Sequence, residues 1–181
     1  SGESLCLYEI HRNFTMRKAM IEPSIFIHHN IFKGLGDDGA DGSLIHLLLK
    51  GHLVVEAILV KNLQHAGYSE KVWAWSFPKK AKLCLEKGYV CNVTYQVCID
   101  INNIRNDFCH SLGHKITFSE AYEMLEHWME LGLDYGDDLQ LDYEYLEENL
   151  DTEGIFYETF TYLISDLGAL ANEKGTGIDL Y

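Results

Sequence analysis

What the sequence has little of limits its class before any motif is considered. It contains only 2 prolines among 181 residues, so few positions would interrupt a helix. Its most apolar run, residues 53–60, contains Glu56 and is far shorter than the roughly 20 apolar residues that a membrane helix requires. No secretory signal is recognisable. We therefore expect a soluble, cytoplasmic protein that does not enter a membrane.

The cysteine pattern argues against disulfides and against a closed zinc site. The number of cysteines is odd and no two form a C-x-x-C pair. They are Cys6, Cys84, Cys91, Cys98 and Cys109. We expect reduced, mostly buried thiols. The glycine-rich segment 34–42 lacks the Lys-Ser/Thr of a phosphate-binding P-loop, and no calcium-binding loop is present. The sequence therefore predicts no metal and no cofactor.

Basic residues are missing from a long stretch of the chain. Residues 116–173 hold 16 acidic residues and no Lys or Arg, whereas residues 1–115 hold 13 basic and 11 acidic residues. The net charge of −14 therefore belongs to the C-terminal third. This distribution argues against a general nucleic-acid binder, which presents a basic face. It leaves open a local site in the nearly neutral part, and a docking surface for a basic partner.

The spacing of apolar residues predicts an all-α, or mainly α, protein in three parts. Residues 1–42 should be irregular or form short strands. Residues 43–131 should form an antiparallel helical bundle, and residues 132–181 an acidic helical extension that packs on it. Helices are expected over residues 43–66, 78–87, 92–112, 119–131 and 152–174. The fourth should begin at Ser119 with an incomplete capping box.

The third predicted helix carries an apolar stripe and a polar stripe. The apolar positions, at 100° per residue, are Val93, Val97, Ile101, Ile104 and Phe108. Asn106 and His110 share the opposite face, while Arg105 lies at the edge of the apolar stripe, about 140° from His110. An ordinary amphipathic helix shows the same division.

Three arrangements would bring Arg105 and His110 into one site. The long arginine side chain would reach round the helix, or the helix would loosen before Gly113. Alternatively, a two-fold dimer would pool two arginines and two histidines in one cleft.

The segment Arg105-Asn106-x-x-x-His110, on the third helix of a predicted bundle, resembles the R-x(4–6)-H motif of the HEPN superfamily. The long first helix, with Glu56 among apolar residues, and the short helix at residues 77–85 resemble the family's first two helices. The resemblance covers roughly residues 43–131 and implies a helical bundle that dimerises. Active members are metal-independent endoribonucleases, many of them toxins or phage-defence proteins. Other members are non-catalytic regulators or binding modules.

The resemblance implies a role for each residue of the motif. His110 would be the catalytic acid or base, Arg105 would hold the scissile phosphate, and Asn106 would orient the phosphate or the histidine. These residue types suit attack by the RNA 2′-hydroxyl, which leaves a 2′,3′-cyclic phosphate and a 5′-hydroxyl. Glu56 should contact Arg105, since a carboxylate among apolar residues needs a partner; the alternative is that it faces solvent.

The sequence therefore predicts a homodimeric endoribonuclease with RNA as its substrate. An antitoxin or another basic protein would bind the acidic region. The alternative is a non-catalytic HEPN-like module that acts through that acidic surface.

Overall fold

The computed structural model describes residues 44–110, 114–136 and 142–178, and these ranges contain six α-helices and no strand. The helices are α1 (Leu44–His65), α2 (Phe77–Glu86), α3 (Asn92–His110), α4 (Phe118–Glu130), α5 (Tyr143–Asn149) and α6 (Thr152–Glu173). A short 3-10 helix, Glu70–Ala74, precedes α2. The predicted all-α bundle is confirmed. The strands or irregular structure expected in residues 1–42 lie outside the described residues.

The start of α4 corrects the predicted cap at Ser119. Thr117 caps the helix instead: its hydroxyl accepts a hydrogen bond from the Glu120 N–H at 3.3 Å. The Glu120 carboxylate in turn accepts from the Thr117 N–H at 2.8 Å. The capping box is therefore complete two residues earlier than predicted. These hydrogen bonds hold the pKa of Glu120 below its ordinary value.

Helices α1 and α2 run in the same direction, which corrects the antiparallel arrangement predicted for these two helices. Four contacts join them and the turn that follows α2, each at a separation of 24 or 25 residues along the chain. They are His52 with Phe77, Glu56 with Lys80, Leu59 with Cys84, and His65 with Tyr89. A constant separation requires that both segments advance together. The link over residues 87–91 is short, so α3 then returns along α1 in the opposite direction.

The last helix, α6, is part of the core and not an appended tail. Its buried side chains belong to the same apolar cluster as those of α1, α2, α3 and α4; they include Phe156, Phe160, Leu163 and Leu167. On α1, Gly51 faces the Phe160 ring of α6. The acidic third of the chain therefore supplies a central helix. Removing it would expose the core and would not merely delete a charged surface.

The contact between Gly51 and Phe160 gives a stability prediction. A Cβ atom at position 51 would lie 2.5 Å from carbons of the Phe160 ring. Alanine gains about 1 kcal/mol of helix propensity over glycine, but overpacking of a core costs about 1–3 kcal/mol or more. We expect Gly51→Ala to lower the free energy of unfolding in urea, and Phe160→Leu to restore part of the loss. The exposed Lys50→Ala is the control, and equal midpoints for all chains would contradict the packing.

Candidate functional site

Within one chain, the structure does not bring Arg105 and His110 together. Helix α3 is regular through His110, so the two residues project about 140° apart. The Arg105 guanidinium lies against α1, with Nη2 3.5 Å from His52 Nε2, whereas the His110 side chain is exposed. The arginine therefore does not reach round the helix, and the helix does not loosen between the two residues. Neither of the two intramolecular arrangements that the sequence left open is therefore found.

Arg105 belongs to a polar cluster that the sequence did not predict. His52 and Asn102 are both buried, and His52 Nε2 lies 3.2 Å from Asn102 Oδ1. The His52 ring packs on Phe77 with 4.2 Å between ring centroids. The cluster thus joins α1, α2 and α3. Its only signal in the sequence was a polar residue on the buried face of each of two apolar helices.

The environment of His52 favours its neutral form. Burial, and then the charge of Arg105, lower the pKa of His52 below its ordinary value of 6.5. The Asn102 hydrogen bond and Glu56 oppose this shift, and Lys80 adds to it. At neutral pH the imidazole next to Arg105 is therefore uncharged.

The lowered pKa of His52 predicts how stability depends on pH. Below the unfolded value of 6.5, the unfolded chain binds a proton at His52 before the folded chain does. The contribution of neutral His52 to the free energy of unfolding is therefore fully present above pH 6.5. It is lost as the pH falls towards the lower folded pKa, by at most about 1.4 kcal/mol per pH unit.

Urea unfolding at about pH 7.5 and about pH 5 should show this dependence of stability on the protonation of His52. The wild type should lose more unfolding free energy than His52→Gln, which cannot titrate. Equal losses would contradict a lowered pKa.

The predicted contact between Glu56 and Arg105 is corrected by the position of α2. Glu56 Oε1 lies 2.5 Å from Lys80 Nζ, and the same ammonium donates to the Trp73 carbonyl at 3.3 Å. The Lys80 side chain is wholly buried and that of Glu56 is 22% exposed. Glu56 therefore does have a partner, as its apolar surroundings require, but the partner comes from α2. Its influence on the site is electrostatic and acts at His52.

The exposed end of α3 carries the remaining residues of the motif. Asn106 is half-buried, and Asp107 and His110 are exposed. Being four residues apart on a regular helix, Asn106 and His110 share a face. No hydrogen bond or ion pair joins the side chain of either residue to another described residue. Asp100 lies six residues before Asn106 on α3. Its Oδ2 accepts a hydrogen bond from Trp128 Nε1 at 3.1 Å, which links α3 to α4. The motif therefore has one end in the bundle and one end on its surface.

The cysteines divide evenly between core and surface. Cys84 and Cys98 are buried, Cys91 and Cys109 are exposed, and all four are free thiols. The expectation of mostly buried thiols therefore holds for half of them, and Cys6 lies outside the described residues. Burial raises the pKa of Cys84 to about 12. In the described ranges, no three His, Cys, Asp or Glu side chains are placed to hold a metal ion.

Over the described residues, every helix is too short or too polar to cross a membrane. A scan against protein-family models, a search of curated proteins and a search of solved structures each found no match.

Proposed function

We propose that this protein is a HEPN-like, metal-independent endoribonuclease whose active site forms between two copies of the chain. The observation that supports the proposal is the division of the motif on one regular helix. Arg105 faces α1, and Asn106 and His110 face outward at the same end of the bundle. Of the three arrangements considered for Arg105 and His110, a second copy related by a two-fold axis is the one in which they can still converge.

The residue types supply what cleavage of RNA by its own 2′-hydroxyl needs. A neutral His110 would accept the 2′-hydroxyl proton, and the departing 5′-oxygen would take a proton from water. The guanidinium would stabilise the negative charge that develops on the phosphate. The products would be a 2′,3′-cyclic phosphate and a 5′-hydroxyl. No step in this scheme requires a metal ion.

The acidic C-terminal third is compatible with such a site. Its described carboxylates are mostly exposed on α4, α5 and the ends of α6. At physiological ionic strength, charges separated by more than about 8 Å are largely screened from one another. A local cation can therefore bind a phosphate on a chain whose net charge is negative, provided that the site itself is free of carboxylates. We expect cleavage to be slow at low salt and faster as salt screens the acidic face.

Incubation of the purified protein with RNA and EDTA tests the proposal. The wild type should cut the RNA and leave 2′,3′-cyclic phosphate ends, and His110→Ala should be inactive. His127→Ala is the matched control, because His127 is an exposed histidine on α4 outside the motif. A wild type that cuts nothing, or a His110→Ala chain that cuts as well as the control, would refute the proposal.

The acidic surface supports a second candidate, a non-catalytic module that binds a basic partner. Among the described residues, the one salt bridge joins Lys80 to Glu56, so the exposed carboxylates of α4 and α5 form no ion pair within that part of the chain. Because α6 is part of the core, truncation at residue 133 would not test this candidate.

Charge substitutions provide the test. A variant with Gln at Glu123, Glu126, Glu144 and Glu148 should lose salt-sensitive binding of a lysine-rich peptide. A variant with Gln at the exposed Glu70 and Glu86 is the control and should retain it. Equal binding by both variants would count against this candidate.

A further inference from the structure

We propose that His52 is a positioning residue: its imidazole, held by the Asn102 carboxamide, keeps the Arg105 guanidinium where it can meet a phosphate. Only the phosphate rests on the proposed function; the holding of Arg105 stands on the geometry of the cluster. His52 would not touch the reacting atoms. It would act through Arg105.

The distances define how the cluster would work. Nε2 of His52 lies 3.2 Å from Asn102 Oδ1 and 3.5 Å from Arg105 Nη2. The second distance is at the outer limit of a hydrogen bond. The Phe77 ring, 4.2 Å away between centroids, fixes the plane of the imidazole. A guanidinium has five N–H donors, so one can lie against His52 while others remain for a phosphate.

Asn102 suits both neutral tautomers of His52. When Nε2 carries the proton, it donates to Asn102 Oδ1 and Arg105 rests beside the ring. When Nδ1 carries the proton, the Nε2 lone pair accepts from Arg105. The carboxamide can then turn so that its NH2 group replaces its oxygen. Only the second state gives Arg105 a hydrogen bond to the ring, because in the first state both facing groups are donors. The positioning role therefore uses the tautomer with its proton on Nδ1.

The charges around His52 favour a neutral ring. Arg105 faces it from α3, Lys80 from α2 and Glu56 from α1 itself. From α6, the neighbour of the adjacent Gly51 is the uncharged Phe160. Glu56 is already paired with Lys80. A proton on His52 would therefore place a second positive charge beside Arg105 without a free carboxylate to offset it.

The side-chain 15N NMR signal of Arg105 tests the positioning without reference to activity. It is assigned by its absence in Arg105→Lys. In the wild type we expect a dispersed guanidinium signal with slow solvent exchange. In His52→Leu, which leaves a buried apolar side chain beside Phe77, this signal should collapse to the position of free arginine. His52→Gln, whose amide can occupy the place of Nε2, should restore it.

Cleavage kinetics give the second readout. We expect His52→Leu to lower kcat by about 10- to 100-fold, because Arg105 is displaced. The melting temperatures of His52→Leu and His52→Gln should be equal. His52→Gln should recover most of kcat. If His52→Leu does not fold, Asn102→Ala should produce the same NMR change, because His52 loses the buried side chain that holds its ring towards α3.

The outcomes separate this proposal from the proposed function. If His52→Leu and Asn102→Ala both leave the Arg105 signal unchanged, the positioning role is overturned, whether or not the protein cuts RNA. If the signal changes as expected but no chain cuts RNA, the positioning role stands and the ribonuclease proposal fails.

Discussion

A mixture of Arg105→Ala and His110→Ala chains should cut RNA, although neither variant should cut it alone. Each variant loses either the cation or the proton-transfer group, and loss of one such group costs about 10²- to 10³-fold in rate. A mixed dimer retains one intact Arg105 and one intact His110 on different chains. Because one chain does not bring these residues together, they would meet only across the subunit interface.

The size of the recovery follows from the statistics of exchange. After subunits exchange at random, half of the dimers are mixed, and each mixed dimer holds one of two possible intact sites. The mixture should therefore regain about one quarter of the wild-type rate. A mixture of the wild type with the Arg105→Ala/His110→Ala double variant is the control and should show no gain over dilution. A fully exchanged mixture that stays inactive would place the site within one chain.

Substitution of Glu56 should be among the most destabilising changes in the described part of the chain. Lys80 is wholly buried, and Glu56 is its one carboxylate partner there. Breaking a buried ion pair by removing one member typically costs about 3–5 kcal/mol, because an uncompensated charge stays behind. Partial exposure of Glu56 moderates this cost, so we expect Glu56→Leu to lower the free energy of unfolding by about 3 kcal/mol.

A second substitution separates the loss of the pair from the loss of packing. Replacing both members with apolar residues is often neutral, since no charge remains buried. Glu56→Leu/Lys80→Met should therefore be far more stable than Glu56→Leu alone, as measured by urea unfolding. Glu86→Leu, at an exposed acidic position of α2, is the control and should change stability little. If the double variant were as unstable as the single one, the salt bridge would not be the cause.

The sequence predicted the helices well because their ends are marked locally. The first two predicted helices stop at glycines that follow α1 and α2, and both Gly67 and Gly88 have positive φ angles, of 91° and 73°. Glycine adopts this conformation at little cost, so it ends helices reliably. The stripe of apolar residues on α3 is likewise buried or half-buried as predicted. By contrast, the cap of α4 was misplaced, because Ser119 and Thr117 both satisfy the local rule and the glutamate at position 120 completes the box only for Thr117.

Contacts between helices could not be predicted in the same way. Apolar spacing shows which face of a helix is buried, but it does not show in which direction a neighbouring helix runs. The shared direction of α1 and α2 is what places Lys80 beside Glu56 and Phe77 beside His52. Without it, Arg105 was the nearest plausible partner for Glu56. The contacts of His52 were missed for the same reason, since its partner Asn102 lies 50 residues away along the chain.

The distance between the ends of α3 in two copies tests the shared site most directly. Cys109 is exposed and adjoins His110, so it accepts a nitroxide label once Cys91 and Cys6 are replaced by serine. Serine suits position 91, where the cysteine sulfur accepts from the Thr94 N–H near the start of α3. Because packed helices lie about 8–10 Å apart, a shared cleft predicts a label separation of roughly 20 Å in pulsed electron resonance. A separation of more than about 45 Å, longer than α3 itself at about 1.5 Å per residue, or no dipolar coupling in a confirmed dimer, would contradict the site.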